Sequence, residues 1–111
     1  MIKLSIEDIK GSLVKEDERY VVRDNETLKA LTLSRTTLRP THSTTGHSHK
    51  GIEEYYFFVE GSGVMEVNTE NVFVTQGDIV PVQGGDFHRV RNGSLTDDLI
   101  FICVLGGKRH G

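Results

Sequence analysis

A single cysteine, Cys103, stands among the 111 residues of the chain. No internal disulfide can therefore form, which fits a reducing compartment. No apolar run approaches the ~20 residues needed for a helix to cross a bilayer. The opening Met1 to Asp8 carries acids inside its apolar stretch and shows no small-residue cleavage pattern, so it does not read as a signal peptide. Basic residues do not prevail either: 13 Lys and Arg stand against 16 Asp and Glu, for a formal net charge of −3. Such a chain has no basic field to neutralise phosphates, which argues against a nucleic-acid partner. An acidic small-molecule substrate stays open, with Arg35 and Arg39 as side chains to receive it. Only 2 prolines accompany 12 glycines, a mix that suits a globular fold with many tight turns. The expectation is one soluble, cytoplasmic domain over residues 1–111, with neither a membrane nor a nucleic-acid partner.

No helical period is sustained and no internal repeat is found. Ser5 to Gly11 suits one helical turn, with Ser5 as cap and Asp8 three residues on. Residues 27–38 are rich in threonine and leucine and stop before Pro40, which predicts a strand whose inward face the pattern leaves open. Glu54 to Val59 is aromatic and β-branched, and Gly61-Ser62-Gly63 separates it from Val64 to Val67, which predicts a hairpin. A second turn is expected around Glu70 and Asn71, then strands over Val72 to Thr75 and Ile79 to Val82, with Pro81 at an edge or bulge. Beyond Gly84-Gly85 come a short strand from His88 to Arg91, the turn Asn92-Gly93, and a final strand from Leu99 to Leu105. Short strands parted by glycine turns make the chain all-β, an antiparallel sandwich or barrel. Residues 106–111 are expected to be a loose tail.

The chemistry gathers in the histidines. His47 and His49 are two apart, so on an extended segment both rings leave the same face, with Cα atoms ~6–7 Å apart. Glu54 follows His49 by five, an odd offset, so Lys50-Gly51-Ile52 must turn or bulge to reset the register, and Gly51 suits that bend. His88 arrives from a distant stretch at the start of a strand. Three neutral imidazoles and one carboxylate suit one divalent transition-metal ion, Zn, Mn, Fe, Co or Ni, with positions left for water or substrate. His42 and His110 read as ordinary solvated histidines, and Glu53 as an outward acid. Tyr56 and Phe58 share the parity of Glu54 and should point inward; Tyr56 carries a hydroxyl able to orient a substrate or pass a proton, whereas Phe58 reads as core. Arg89 and Arg91 alternate with His88 and should face away, and Cys103 reads as a small buried thiol.

These residues carry a resemblance to the cupins. The first cupin motif is glycine, five residues, His-x-His, three or four residues, glutamate, six residues, glycine. Here His47, His49, Glu54 and Gly61 reproduce its core, and counting back six from Gly61 selects Glu54 over Glu53. The leading glycine falls at position 41, which is Thr41. The second motif, glycine, five residues, Pro-x-Gly, two residues, histidine, three residues, asparagine, is matched by Gly77, Gly85, His88 and Asn92, with Gln83 in place of the proline. The resemblance implies a jelly-roll β-barrel with the ion inside its mouth and a homodimer formed by exchanged edge strands. It extends to Gly51 through Tyr56, which looks like small cupins placed near mannose-6-phosphate isomerase.

Fold alone does not set the reaction. The expected activity is that of a metal-dependent enzyme acting on a small oxygenated metabolite, foremost a sugar or sugar-phosphate isomerase. In that activity the ion polarises a carbonyl, and Tyr56 or a water moves the proton. A metal-dependent dioxygenase or lyase is the alternative. A non-catalytic module that binds a metal or ligand is the third.

Overall fold

The computed structural model describes residues 1–108. Ten strands follow in chain order: β1 (Ser12–Glu16), β2 (Tyr20–Asn25), β3 (Leu31–Leu38), β4 (His47–Ser48), β5 (Glu54–Glu60), β6 (Ser62–Val67), β7 (Glu70–Thr75), β8 (Ile79–Val82), β9 (Phe87–Arg91) and β10 (Leu99–Gly106). All pairings are antiparallel. They build a six-stranded sheet ordered β1-β2-β3-β10-β5-β8 and a four-stranded sheet ordered β4-β9-β6-β7, the two faces of a jelly-roll barrel. No helix among the described residues is long and apolar enough to cross a membrane. Pro81 sits on β8, an edge strand, where its missing donor costs no ladder bond.

Several expectations change. The Gly61 turn does not close a hairpin: β5 pairs with β10 and β8, while β6 pairs with β7 and β9. The turn instead carries the chain from one sheet to the other. Gly61 has φ +84°, and a Cβ there would run into the Asp98 carbonyl oxygen, so glycine is required at the crossing. The true hairpin is β6–β7, turning at Asn68 and Thr69 two residues earlier than expected, with Asn68 at φ +55°. Asn92 and Gly93 do turn, with Ser94 N donating to Asn92 Oδ1, but the turn closes no hairpin, since β9 and β10 lie in different sheets. Buried Asn92 donates to the carbonyls of Leu38 and Asp97 and anchors a loop that runs to Asp98. The strand expected over 27–38 begins only at Leu31, because the Asn25 side chain accepts from Thr27 N and holds a turn before it. Strands β1 and β2 had no counterpart in the sequence reading. At the other terminus the expected loose tail does not start at 106. Gly106 belongs to β10, Gly107 N donates to Ala30 O, and Lys108 Nζ reaches Leu28 O and Glu26; residues 109–111, with His110, lie outside the described residues.

The face of β3 left open by the pattern is now settled, and it inverts the usual order. Thr32, Ser34, Thr36 and Leu38 point into the barrel, whereas Leu31 and Leu33 point out. Outward apolar groups are tolerated because the N-terminal segment covers that side. Leu4, Ile6 and Ile9 lie with Leu33, Phe57, Ile102 and Val104 around one apolar hollow. Ser5 to Gly11 does make one turn, with Ile9 N donating to Ser5 O, and Asn25 Nδ2 and Arg35 Nε then donate to the carbonyls of Ile9 and Ile6. Inside, one end of the barrel is closed by Leu38, Phe58, Met65, Val90 and Leu99, each at most 1% exposed. Burying each such side chain contributes roughly 1.5–3 kcal/mol.

Candidate functional site

The other end of the barrel opens into a cavity of about 460 Å³. A larger hollow, near 600 Å³, lies on the outer face between the N-terminal segment and β3, but among the described residues no histidine or acidic side chain lies on its wall. The chemistry is in the barrel. His47, His49, Glu54, Tyr56, His88 and Cys103 all line the inner cavity.

Strand register explains how they meet. His47 of β4 lies opposite His88 of β9, and β4 is held there by two bonds between Thr44 and Val90, one through the Thr44 hydroxyl. Past Ser48 the chain turns at Gly51, φ +78°, with Ile52 N donating to His49 O; His49 O also accepts from Gly85 N, which ties the two motif turns together. The register shift expected at Gly51 is therefore made there. Glu54 then starts β5 with its side chain inward, at 8% exposure, while Glu53 stays exposed. Tyr56 and Phe58 follow on the inward face, Tyr56 edge-on to His88 with ring centroids 5.8 Å apart. Three imidazoles stand within 5.4 to 6.4 Å of one another, centroid to centroid. Among the described residues, no group of three or more His, Cys, Asp and Glu donors is drawn close enough to make a formed metal site.

The Glu54 carboxylate carries the most information. Its Oε1 accepts from the Cys103 thiol at 3.3 Å. Its Oε2 lies 3.1 Å from His88 Nε2, yet it is buried with no group aimed to donate to it. The other His88 nitrogen, Nδ1, lies 3.1 Å from Asp86 O. A neutral ring that donates Nδ1–H to that carbonyl leaves Nε2 unprotonated, with its lone pair beside a carboxylate oxygen but not aimed at it. Two electron-rich atoms so close call for a proton or a metal cation that both can share, and a backbone carbonyl behind a ligating histidine is the usual support for a metal. The residues present therefore fit a divalent ion. Protonation meets the same need: burial disfavours the His88 imidazolium, but Glu54 and the Asp86 carbonyl outweigh it and raise the His88 pKa. Burial likewise pushes Glu54 up, but His88, then Cys103 and His49, hold its carboxyl below the ordinary range.

Elsewhere the sequence reading needs revision. His42 does not line the cavity, as expected, and Arg89 points outward to Glu66. Arg35 is spent on Ile6 O and Thr37, and Arg39 on Glu16, so neither reaches the cavity as an anion receiver. Cys103 is more than an apolar-core thiol, since it is bonded to Glu54. The cation on the cavity wall is Lys15, which no motif flagged.

Comparison with known proteins agrees with this architecture. Residues 34–105 match the family model for the cupin domain. The chain is 34% identical over 65 residues to tetracenomycin polyketide synthase protein TcmJ of Streptomyces glaucescens, covering 58% of this chain but only 44% of that protein. It thus spans less than half the length of this curated relative. Among solved structures, KdgF from Halomonas sp. superposes with a TM-score of 0.77 at 15% identity, covering 90% of this chain and 91% of that one. A predicted oxalate decarboxylase from Thermotoga maritima does so with a TM-score of 0.74 at 24% identity, covering 96% and 100%. At such identities these structures speak for the fold alone. With the barrel, both motifs and the family match in agreement, the chain belongs to the cupin domain family.

Proposed function

We propose that this cupin is a metal-dependent enzyme acting on a small oxygenated metabolite, with His47, His49, Glu54 and His88 as the ligands of one divalent transition-metal ion. The observation that carries this reading is the buried Glu54 Oε2, facing His88 Nε2 at 3.1 Å without a hydrogen-bond donor. When bound there, such an ion supplies Lewis acidity toward a substrate oxygen. The chain's own part is to exclude water behind Phe101 and Phe58 and to place Tyr56 on the wall, where its hydroxyl would move a proton at a carbon beside that oxygen. Isomerisation or elimination suits this arrangement, and a homodimer through edge strands is part of the same reading.

Purification without added ions, followed by metal analysis and titration, tests it. His49→Ala and His88→Ala are expected to lose most metal affinity, whereas His42→Ala keeps it. Equal loss in all three variants would overturn the ligand assignment. Occupancy should fall as pH drops, because His88 has a raised pKa and its proton competes with the ion. Oxygen uptake by iron-loaded protein would favour the dioxygenase alternative, and metal binding without turnover of a broad substrate panel would favour a binding module.

A further inference from the structure

We infer that the cavity takes an organic carboxylate with a compact apolar body and a second oxygen at its far end, and that Lys15 receives the carboxylate; the inference deepens the proposed function and rests on it for the far end alone. Strand β1 pairs with β2 as Leu13 with Arg23 and Lys15 with Val22, so Val14 is an extra residue, a bulge. A regular strand sends successive side chains to opposite faces. Here the consecutive Val14 and Lys15 both line the cavity, which is the re-aiming that bulges provide.

Among the described residues, Lys15 is the only lysine or arginine on that wall, and Glu54 the only carboxylate. Its Nζ lies 5.6 Å from the centroid of the Tyr20 ring, and among the described residues no acid lies within ion-pair distance of it. The neighbouring cation is already committed. Arg19 bonds Asp17, which it holds near pKa 2, and also bonds the Thr45 hydroxyl. With a divalent ion bound, the cavity would hold two positive centres, that ion and Lys15, which favours an anion.

The walls decide the body between those ends. Val14, Tyr20, Val22 and Phe101 give the cavity apolar stretches, beside which Ser34 and Thr36 present hydroxyls from β3, while the Thr44 and Thr45 hydroxyls are engaged by Val90 N and Arg19. Packing sugar hydroxyls against such surfaces leaves them unpaired at a cost, whereas an aromatic or alicyclic body loses nothing there. The walls thus suit a less hydroxylated substrate than the sugar expected from sequence.

Calorimetric titration with 4-hydroxybenzoate, its neutral amide 4-hydroxybenzamide and glucose 6-phosphate tests this, on metal-free and zinc-loaded protein. The acid is expected to bind roughly tenfold more tightly than the amide. Lys15→Gln should abolish that preference and Lys15→Arg should keep it. A preference unchanged in Lys15→Gln, or no binding of the acid, overturns the assignment; tighter Lys15-dependent binding of glucose 6-phosphate overturns the carboxylate class. Discrimination by Lys15 is read already in the metal-free protein, so failure to take up zinc would count against the metal reading and not against this one.

Discussion

The two ends of the barrel are made by the same strands, read a few residues apart. On β5 the inward positions run Glu54, Tyr56, Phe58; on β9, His88 then Val90; on β3, Ser34, Thr36, Leu38; on β10, Cys103, Phe101, Leu99. Register aligns these series, so Leu38 meets Leu99 at the packed end while Cys103 meets Ser34 and Tyr56 at the open end. A period of two decides which side of the sheet a residue serves. Distance along the strand decides whether it packs or reacts. The apolar end makes the frame stiff, and that stiffness makes it possible to bury a carboxylate beside an imidazole at the other end.

This division can be broken most forcefully at Phe58, 1% exposed and centred 5.5 Å from the Phe101 ring. Phe58→Ala should cost about 3–5 kcal/mol of stability through lost burial and a residual cavity, read by urea denaturation. The metal affinity of the protein that remains folded should stay near that of the parent. Were affinity to collapse as in His88→Ala, the two ends would not be separable.

Cys103 sharpens the comparison from the open end. Removing its thiol in Cys103→Ala leaves Glu54 Oε1 without the donor it has at 3.3 Å. Supporting groups behind a metal ligand are typically worth about 10–100-fold in metal affinity. That is the loss expected for Cys103→Ala in competition with a chromophoric chelator, while Cys103→Ser, which keeps a hydrogen-bond donor, should recover most of it. Equal losses in the two variants would mean that the thiol acts through its bulk and not through its bond.

How much of this was legible before the fold is instructive. The meeting of His47, His49, Glu54 and His88 on one cavity was, because His-x-His, Glu54 and His88 sit in motifs whose spacing is local, and the Gly51 bend could be inferred from parity alone. Strand pairing was not. Gly61-Ser62-Gly63 looks the same whether the strands on either side join each other or part to different sheets, and only the contact of Gly61 with Asp98 settles which. Nor was the inward face of β3, since threonine and serine point to a cavity and leucine to a covered outer face, against the usual hydrophobic ordering. Lys15 was invisible because its aim depends on a bulge, and a bulge depends on the partner strand.

The smallest expected effect lies at the packed end, in a residue the first motif marks as a departure. Thr41 occupies the place of the leading glycine and has φ +67°. The left-handed region costs an L-residue roughly 1–2 kcal/mol, and a β-branched one is especially ill suited to it. Its backbone is nonetheless held there, with Thr41 N donating to Ser94 O of the loop that Asn92 anchors. Thr41→Gly relieves the strain but frees the unfolded chain, which returns about 0.5–1 kcal/mol of the gain. A net stabilisation of about 0.5 kcal/mol should remain, a rise of about 2–4 °C in Tm for a chain of this size. Metal affinity and the preference for acid over amide should not move, because the residue does not line the cavity. A lower Tm would show that the threonine side chain contributes more to that loop than its backbone strain costs, and the strain would then lie within a local interaction worth keeping.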